Sequence, residues 1–157
     1  MAKKIALITG ASRGLGAALS EELSETHHII AVARTVGGLE DLDDRIKSKN
    51  GTATLVPMDV TNREAMKQLF TSIFERWGRI DLWAHTAIYA PPLSPLSTID
   101  LGDLDKTYST NITATALLIN FISPIMSEEG HALFFDDPCS GNKFYGIYGS
   151  SKSAQMS

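Results

Sequence analysis

The sequence predicts an α/β protein built on a doubly wound parallel sheet with helices on both faces. Three observations carry that expectation. Short apolar runs alternate with segments of helical periodicity through the 157 residues, the pattern of parallel strands joined by right-handed helical crossovers. The first run, Ile5-Ala6-Leu7-Ile8, is continuous rather than alternating, as in a strand covered on both faces. A glycine turn, Thr9-Gly10-Ala11-Ser12-Arg13-Gly14-Leu15-Gly16, joins that run to the first helical segment.

Taken in order, the first strand is expected over 4–9 and the first helix from the glycine turn to about Glu25, with Leu15, Ala18, Leu19 and Leu23 facing the sheet. His27-His28 opens the second strand, 28–33. Adjacent histidines on a strand point to opposite faces, so a turn or surface role is expected and a metal pair is not. A polar helix over 39–48 exits through Asn50-Gly51, and the third strand runs 52–58 to Asp59. The next helix carries the clearest pattern. Thr61 and Glu64 read as a capping box, Met66, Leu69, Phe70, Ile73, Phe74 and Trp77 recur at helical spacing, and Gly78 stops the helix. That aromatic stripe is expected in the core. A fourth strand over 80–87 leads to the loop Ala90-Pro91-Pro92-Leu93-Ser94-Pro95 and a short helix from Ser97 or Thr98. A long helix over 103–126 then carries Ile112, Ala116, Ile119, Phe121 and Ile122, until Pro124 kinks or ends it. The fifth strand is expected over 132–135, followed by the loop from Asp136 to Asn142 and a last helix beginning near Tyr148.

Composition narrows the function classes. The length suits one domain, residues 1–157, with a substantial core. A net charge of −4 and no basic cluster beyond Lys3-Lys4 argue against a nucleic-acid partner. No apolar run approaches membrane-spanning length, and Met1-Ala2-Lys3-Lys4 leads straight into a strand, so a cytoplasmic protein is expected. The single cysteine, Cys139, excludes an internal disulfide and a multi-cysteine metal site and reads as a loop thiol.

In a doubly wound sheet ligands lie outside the carboxyl ends of the strands. There the glycine turn forms a pyrophosphate cradle, because glycines permit φ > 0 and close backbone approach while free helix N–H groups attract phosphate. The second strand ends in Ala33-Arg34, without the acid that usually receives an adenosine ribose 2′-hydroxyl. Arg13 and Arg34 instead suit a 2′-phosphate, the alternative being that both are solvated charges. Tyr148-Gly149-Ser150-Ser151-Lys152 puts a phenol and an ammonium on one helix face, where the cation would lower the phenol from its usual ~10 toward use as an acid/base.

Thr-Gly-x-x-x-Gly-x-Gly after the first strand, with Asp59-Val60 after the third and Tyr-x-x-x-Lys behind the fifth, resembles the short-chain dehydrogenase/reductase family. The resemblance implies a Rossmann-like fold, an NADP(H) cofactor, and hydride transfer between nicotinamide and a small carbonyl or secondary-alcohol substrate. It assigns the phosphate cradle to Gly10, Ser12, Gly14, Leu15 and Gly16, with Arg13 and Arg34 at the 2′-phosphate corner. Asp59 and Val60 fall at the adenine, where Asp59 also suits a turn or capping role, and Ala87 falls near the nicotinamide. Tyr148 exchanges the substrate proton, Lys152 lowers its pKa and holds the nicotinamide ribose, and Asn111 anchors the proton-relay water. A homo-oligomer, dimer or tetramer, is implied through the long helix and the Tyr/Lys helix, with Leu117, Leu118 and Phe121 as apolar surface.

The chain also departs from the family's pattern. His85-Thr86-Ala87-Ile88 stands where the family has Asn-Asn-Ala-Gly, so His85 and Thr86 are expected to supply substitute hydrogen bonds and Ile88 to crowd the nicotinamide ribose. No serine fits the position that orients the substrate oxygen. Alignment on Gly130 places Asp137 there, the count back from Tyr148 reaches Phe135 or Asp136, and Ser140 is the nearest hydroxyl. An ionised Asp137 would disfavour a tyrosinate, whereas a protonated one could donate to a carbonyl oxygen. The alternative function is a non-catalytic dinucleotide-binding relative, a sensor or partner-binding protein. The family's last two strands and its substrate-covering segment are absent from these residues, so the domain is expected to be incomplete at its C-terminal side.

Overall fold

The computed structural model describes residues 3–139 and 141–157, so Ser140, Met1 and Ala2 lie outside the described residues. Five parallel strands form one sheet in the order β3-β2-β1-β4-β5, with β1 Lys4–Thr9, β2 His27–Ala33, β3 Thr52–Pro57, β4 Ile80–His85 and β5 Met126–Phe134. The strand order reverses between β1 and β4, which opens a crevice at their carboxyl ends. The helices are α1 Gly14–Leu23, α2 Val36–Ser48, α3 Arg63–Trp77, α4 Leu101–Tyr108, α5 Ala114–Ile122 and α6 Gly146–Gln155. None is long and apolar enough to cross a membrane.

Burial follows from the continuous apolar strands. One core layer joins Leu7, Ile30 and Trp83 of the sheet to Met66, Phe70 and Ile73 of α3 and Leu118 and Ile122 of α5. The opposite layer joins Ile8, Ile29 and Ala84 to Ala17 of α1 and Leu39, Leu42 and Ile46 of α2. At about 25 cal/mol per Å² of apolar surface, each fully buried Leu or Ile contributes about 1.5–3 kcal/mol.

Several local expectations are corrected. Helix α1 faces the sheet with Gly16, Ala17 and Ser20, while Leu15 is 49% exposed and Ala18 is exposed. Small residues win that face because α1 sits tight on the glycine turn: a Cβ on Gly16 would lie 2.5 Å from Thr86 Oγ1. The N-cap of α3 is Asn62, whose side chain accepts from the Ala65 N–H at 3.1 Å. Thr61 is not the cap, since its N–H and hydroxyl both donate to Asp59 Oδ1 at 2.9 and 2.8 Å, closing a side-chain turn. Phe74 is 56% exposed rather than in the core. Gly78 ends α3 at φ 76° as expected.

The expected long helix is divided. A π-helical turn, Ser109–Thr113, separates α4 from α5, and a 3₁₀ turn over Ser123–Ile125 takes up Pro124. The wide turn advances the helix phase, so the buried face of α5 is Ala114, Thr115, Leu118 and Ile122, while Ala116 and Ile119 point outward. The last strand begins at Met126, earlier than expected, because it pairs with β4 from Ile80 onward through a register shift. His28 bridges the Thr52 and Thr54 hydroxyls at 2.9 Å each and His27 contacts Thr26, so both histidines are held by threonines near the surface.

Candidate active site

A cleft of about 680 Å³ opens at the carboxyl ends of the strands and is lined by all five strand-end segments and by α6. Its phosphate end is the turn between β1 and α1. Gly10 and Gly14 have φ of 87° and 55°, and the Gly10 and Ala11 N–H groups donate to Val32 O at 2.8 and 3.1 Å, pinning the turn to β2. A Cβ on Gly10 would lie 2.5 Å from Ala87 N, so only glycine lets the turn close onto β4 there. No side chain caps the N-terminus of α1, and its first turn carries no acid. Those free N–H groups are the chemistry a pyrophosphate requires. Ser12, Leu15 and Gly16 line the same end, and Gly38 lets α2 approach Ser12 closely.

Arg13 and Arg34 are exposed at this end, and among the described residues neither forms an ion pair. Asp59 lines the cleft with Oδ1 committed to Thr61, and Val60 is buried behind it. Ala87, Ile88 and Tyr89 line the wall after β4. Thr86 donates to the carbonyls of Thr9 and Gly10 at 2.9 and 3.1 Å, and His85 Nδ1 meets the Thr9 hydroxyl at 2.7 Å, so both residues supply the expected substitute bonds. The His85 imidazole is 3% exposed, and burial, with the charge of Lys152, pushes its pKa down to about 4. It is neutral at pH 7.

Tyr148, Lys152 and Asp137 meet at the other end of the cleft. The Tyr148 phenol donates to Asp137 Oδ2 at 2.9 Å. Asp137 is thereby the hydrogen-bond partner of the phenol. The tyrosine is not lowered, as Lys152 was expected to make it. Burial and then the Asp137 carboxylate push its pKa far above the ordinary phenol range. Lys152 is 5% exposed and donates from Nζ to Phe135 O at 2.6 Å and to Gln155 Oε1 at 2.7 Å. Burial pushes its ammonium below the usual range, opposed by the nearby Asp137 and Asp136.

Asn111 is fully buried and is not among the residues lining the cleft. Its side chain clamps the backbone of Tyr89, accepting from the N–H at 2.8 Å and donating to the carbonyl at 2.9 Å, and also donates to Ser151 at 2.9 Å. Its backbone carbonyl is the part turned toward the lysine, through Gln155 Nε2 at 3.2 Å. Sequence reasoning missed Gln155 and Tyr89. Gln155 stands three residues after Lys152, one helical turn on the same face, which is the signal that could have found it. Cys139 is buried in the loop after β5, where burial pushes its thiol up, as an inert loop thiol requires.

Residues 4–157 match the family model described as short chain dehydrogenase. An uncharacterized oxidoreductase of Listeria monocytogenes is 32% identical over 96% of this chain and 62% of its own length. A sepiapterin reductase of Chlorobaculum tepidum is 28% identical over 98% of this chain and 67% of its own. The crystal structure of a metagenomic short-chain oxidoreductase in complex with NADP superposes with a TM-score of 0.91 at 26% identity, covering 99% of this chain and 72% of that one. The chain therefore spans about half to two-thirds of the length of the curated relatives it matches.

Proposed function

The chain belongs to the short-chain dehydrogenase family, and from that premise we propose that it is the dinucleotide-binding domain, residues 1–157, of an NADP(H)-dependent oxidoreductase acting on a carbonyl or secondary alcohol. One observation carries the reading: the glycine cradle and the Tyr148/Lys152 pair open on a single cleft. The fit of the dinucleotide rests on the turn itself, where Gly14 at φ 55° faces open space and the N-terminus of α1 carries neither a side-chain cap nor an acid. The free N–H groups of α1 and Gly10, Ser12, Gly14, Leu15 and Gly16 would hold its phosphates, Arg13 and Arg34 its 2′-phosphate, and Asp59, Val60, Ala87 and Lys152 the remaining parts.

When bound, the cofactor supplies or accepts the hydride. Tyr148 gives its phenolic proton to the substrate oxygen during reduction, and its elevated pKa keeps that proton in place across the working pH range. Oxidation of an alcohol needs the tyrosinate and reduction leaves it behind, so the Asp137 carboxylate opposes proton transfer at Tyr148 in both directions. Lys152 keeps one N–H beyond its bonds to Phe135 and Gln155 for the cofactor ribose. The non-catalytic alternative is favoured by the same Tyr148–Asp137 bond, which holds the phenol on a protein acceptor. We assign the protein to the cytoplasm, with a homo-oligomer formed through α5 and α6 and no nucleic-acid partner.

The test is calorimetric titration of the full-length protein with NADPH and NADH, followed by a carbonyl screen with wild type and Tyr148→Phe. NADPH is expected to bind more tightly, and Tyr148→Phe to lose turnover by about 10²–10⁴-fold while keeping cofactor affinity. Binding of neither cofactor overturns the reading. Binding without turnover selects the non-catalytic relative.

A further inference from the structure

A continuous hydrogen-bonded chain runs behind the candidate active site, and the cleft residues alone do not account for it. Gln155 Oε1 accepts from Lys152 Nζ at 2.7 Å, and Gln155 Nε2 donates to Thr115 Oγ1 at 3.0 Å and to Asn111 O at 3.2 Å. Thr115 Oγ1 donates to the same Asn111 carbonyl at 2.8 Å and meets His85 Nε2 at 3.0 Å. His85 Nδ1 meets the Thr9 hydroxyl at 2.7 Å, and the Trp83 indole N–H donates to that hydroxyl at 3.3 Å. His85 and Thr115 are each 3% exposed, and Asn111 and Thr9 are fully buried.

Two assignments satisfy this chain, because Thr9 Oγ1 also lies 3.4 Å from Ala84 O, and the shorter bonds, Thr9 to His85 Nδ1 at 2.7 Å and Thr115 to Asn111 O at 2.8 Å, belong to one of them. In that one Thr115 spends its only proton on Asn111 O, so it can only accept from His85, which therefore carries its proton on Nε2. His85 Nδ1 then accepts from Thr9. At Gln155 the amide oxygen must face Lys152, because the opposite flip would set an NH₂ against an ammonium. Two of the three ammonium protons are thereby fixed, one by Gln155 and one by Phe135, and the third is left for the cleft.

We propose that Gln155 is a positioning residue for Lys152, braced through Thr115 by neutral His85 on the central strand β4, and that this brace aims the free ammonium proton into the cleft. The proposal rests on the oxidoreductase reading only for its effect on turnover; the brace itself is a property of the protein without cofactor. The charged and titratable groups around Lys152 are Asp136, Asp137 and Cys139 after β5, Tyr148 on α6 and His85 on β4.

The test uses the full-length protein with Gln155→Leu, Gln155→Glu and Thr115→Val. In the absence of cofactor, NMR follows the Lys152 ammonium titration and the His85 tautomer, and steady-state kinetics of carbonyl reduction follow separately. Gln155→Leu removes an acceptor of the charged form, so Lys152 should titrate about one pH unit lower, with kcat reduced about tenfold and KM for the carbonyl nearly unchanged. Gln155→Glu restores an acceptor and adds charge, so Lys152 should titrate above wild type and kcat should recover relative to Gln155→Leu. Thr115→Val should release His85 from the Nε2–H form and lower the Lys152 titration by less than Gln155→Leu does.

An unchanged Lys152 titration in Gln155→Leu, or an unchanged His85 tautomer in Thr115→Val, overturns the brace. Should Gln155→Leu fail to fold, a Lys152 titration in Gln155→Glu no higher than in wild type does the same. A wild type without turnover refutes the oxidoreductase reading instead, and the two NMR measurements still decide the brace.

Discussion

Replacing Asp137 with Asn keeps the size of the side chain and removes its charge beside the Tyr148 phenol. The phenol donates to Oδ2 at 2.9 Å, and the carboxylate acts, after burial, as the second cause of the tyrosine's raised pKa. A hydrogen bond to a charged partner is worth about 1.5–3 kcal/mol, and because Asp137 is exposed, solvent screening holds the effect to the lower end. That corresponds to a fall in the Tyr148 pKa of about one unit, with the burial contribution left in place. Below the pKa, a one-unit fall raises the tyrosinate fraction about tenfold at every pH. Alcohol oxidation gains tyrosinate and carbonyl reduction gains a stronger acid, so at a given pH below the pKa, with cofactor affinities unchanged, kcat/KM should rise by the same factor in both directions, by up to about tenfold. The assay is the pH dependence of kcat/KM in both directions for full-length wild type and Asp137→Asn. An oxidation profile that stays put or moves to higher pH, in a variant of native stability, would refute the reasoning.

Arg34→Ala should weaken NADPH binding about tenfold or more and leave NADH within about twofold, since only the 2′-phosphate distinguishes the two; equal losses in calorimetry would remove Arg34 from that corner. Gly10→Ala forces a Cβ to 2.5 Å from Ala87 N at φ 87°, so denaturant unfolding should show a loss of about 1–3 kcal/mol or more together with lost cofactor affinity. A variant as stable as wild type would contradict the close packing of β1 on β4. His85 titrates at about 4 in the folded chain against 6.5 for an ordinary histidine, so between those values the unfolded state binds more protons. Its contribution to stability is complete above about pH 6.5 and falls by about 3 kcal/mol as the pH drops to about 4. The pH dependence of unfolding in wild type and His85→Asn measures this, and parallel profiles would show that the imidazole titrates normally.

The alternation of apolar runs and helical periods made the sheet legible, because its central strands β1, β2 and β4, buried on both faces, leave little freedom in composition. The glycine turn was legible for a related reason: φ of 87° at Gly10 and contact with β4 admit no side chain. What escaped was decided by contacts distant in sequence. On α1, Leu19 and Leu23 pack against the core as read, but Leu15 and Ala18 do not, because Thr86 and the Gly10 carbonyl set how near the helix comes and leave room only for Gly16 there. The π turn hid inside a continuous helical pattern, and its phase change reassigned the core positions of α5. Tyr-x-x-x-Lys announced Tyr148 and Lys152, yet burial raises the phenol and lowers the ammonium, and the Asp137 carboxylate, which reaches the phenol only once β5 and α6 are packed together, adds to the first shift and opposes the second. The same holds for Asn111, whose position was anticipated but whose side chain is spent on Tyr89 and Ser151.

The hydrogen-bonded chain from Thr9 to Lys152 has a consequence for the order of events on the ribosome. Thr9 and His85 are 76 residues apart, His85 and Thr115 are 30 apart, and Thr115 and Gln155 are 40 apart. During synthesis β1 and β2 can pair early, but His85 emerges well before the threonine and glutamine that complete its surroundings. A nascent chain halted after β4 would hold that imidazole without its Nε2 partner, where it could still take up a proton. Pairings this remote are slow to close and leave apolar strands waiting for their covering helices. The hydrogen-bonded chain is thus complete only once β4, α5 and α6 have all left the exit tunnel, and arrested nascent chains should gain hydrogen-exchange protection of His85 and its neighbours on β4 only after α6 has emerged.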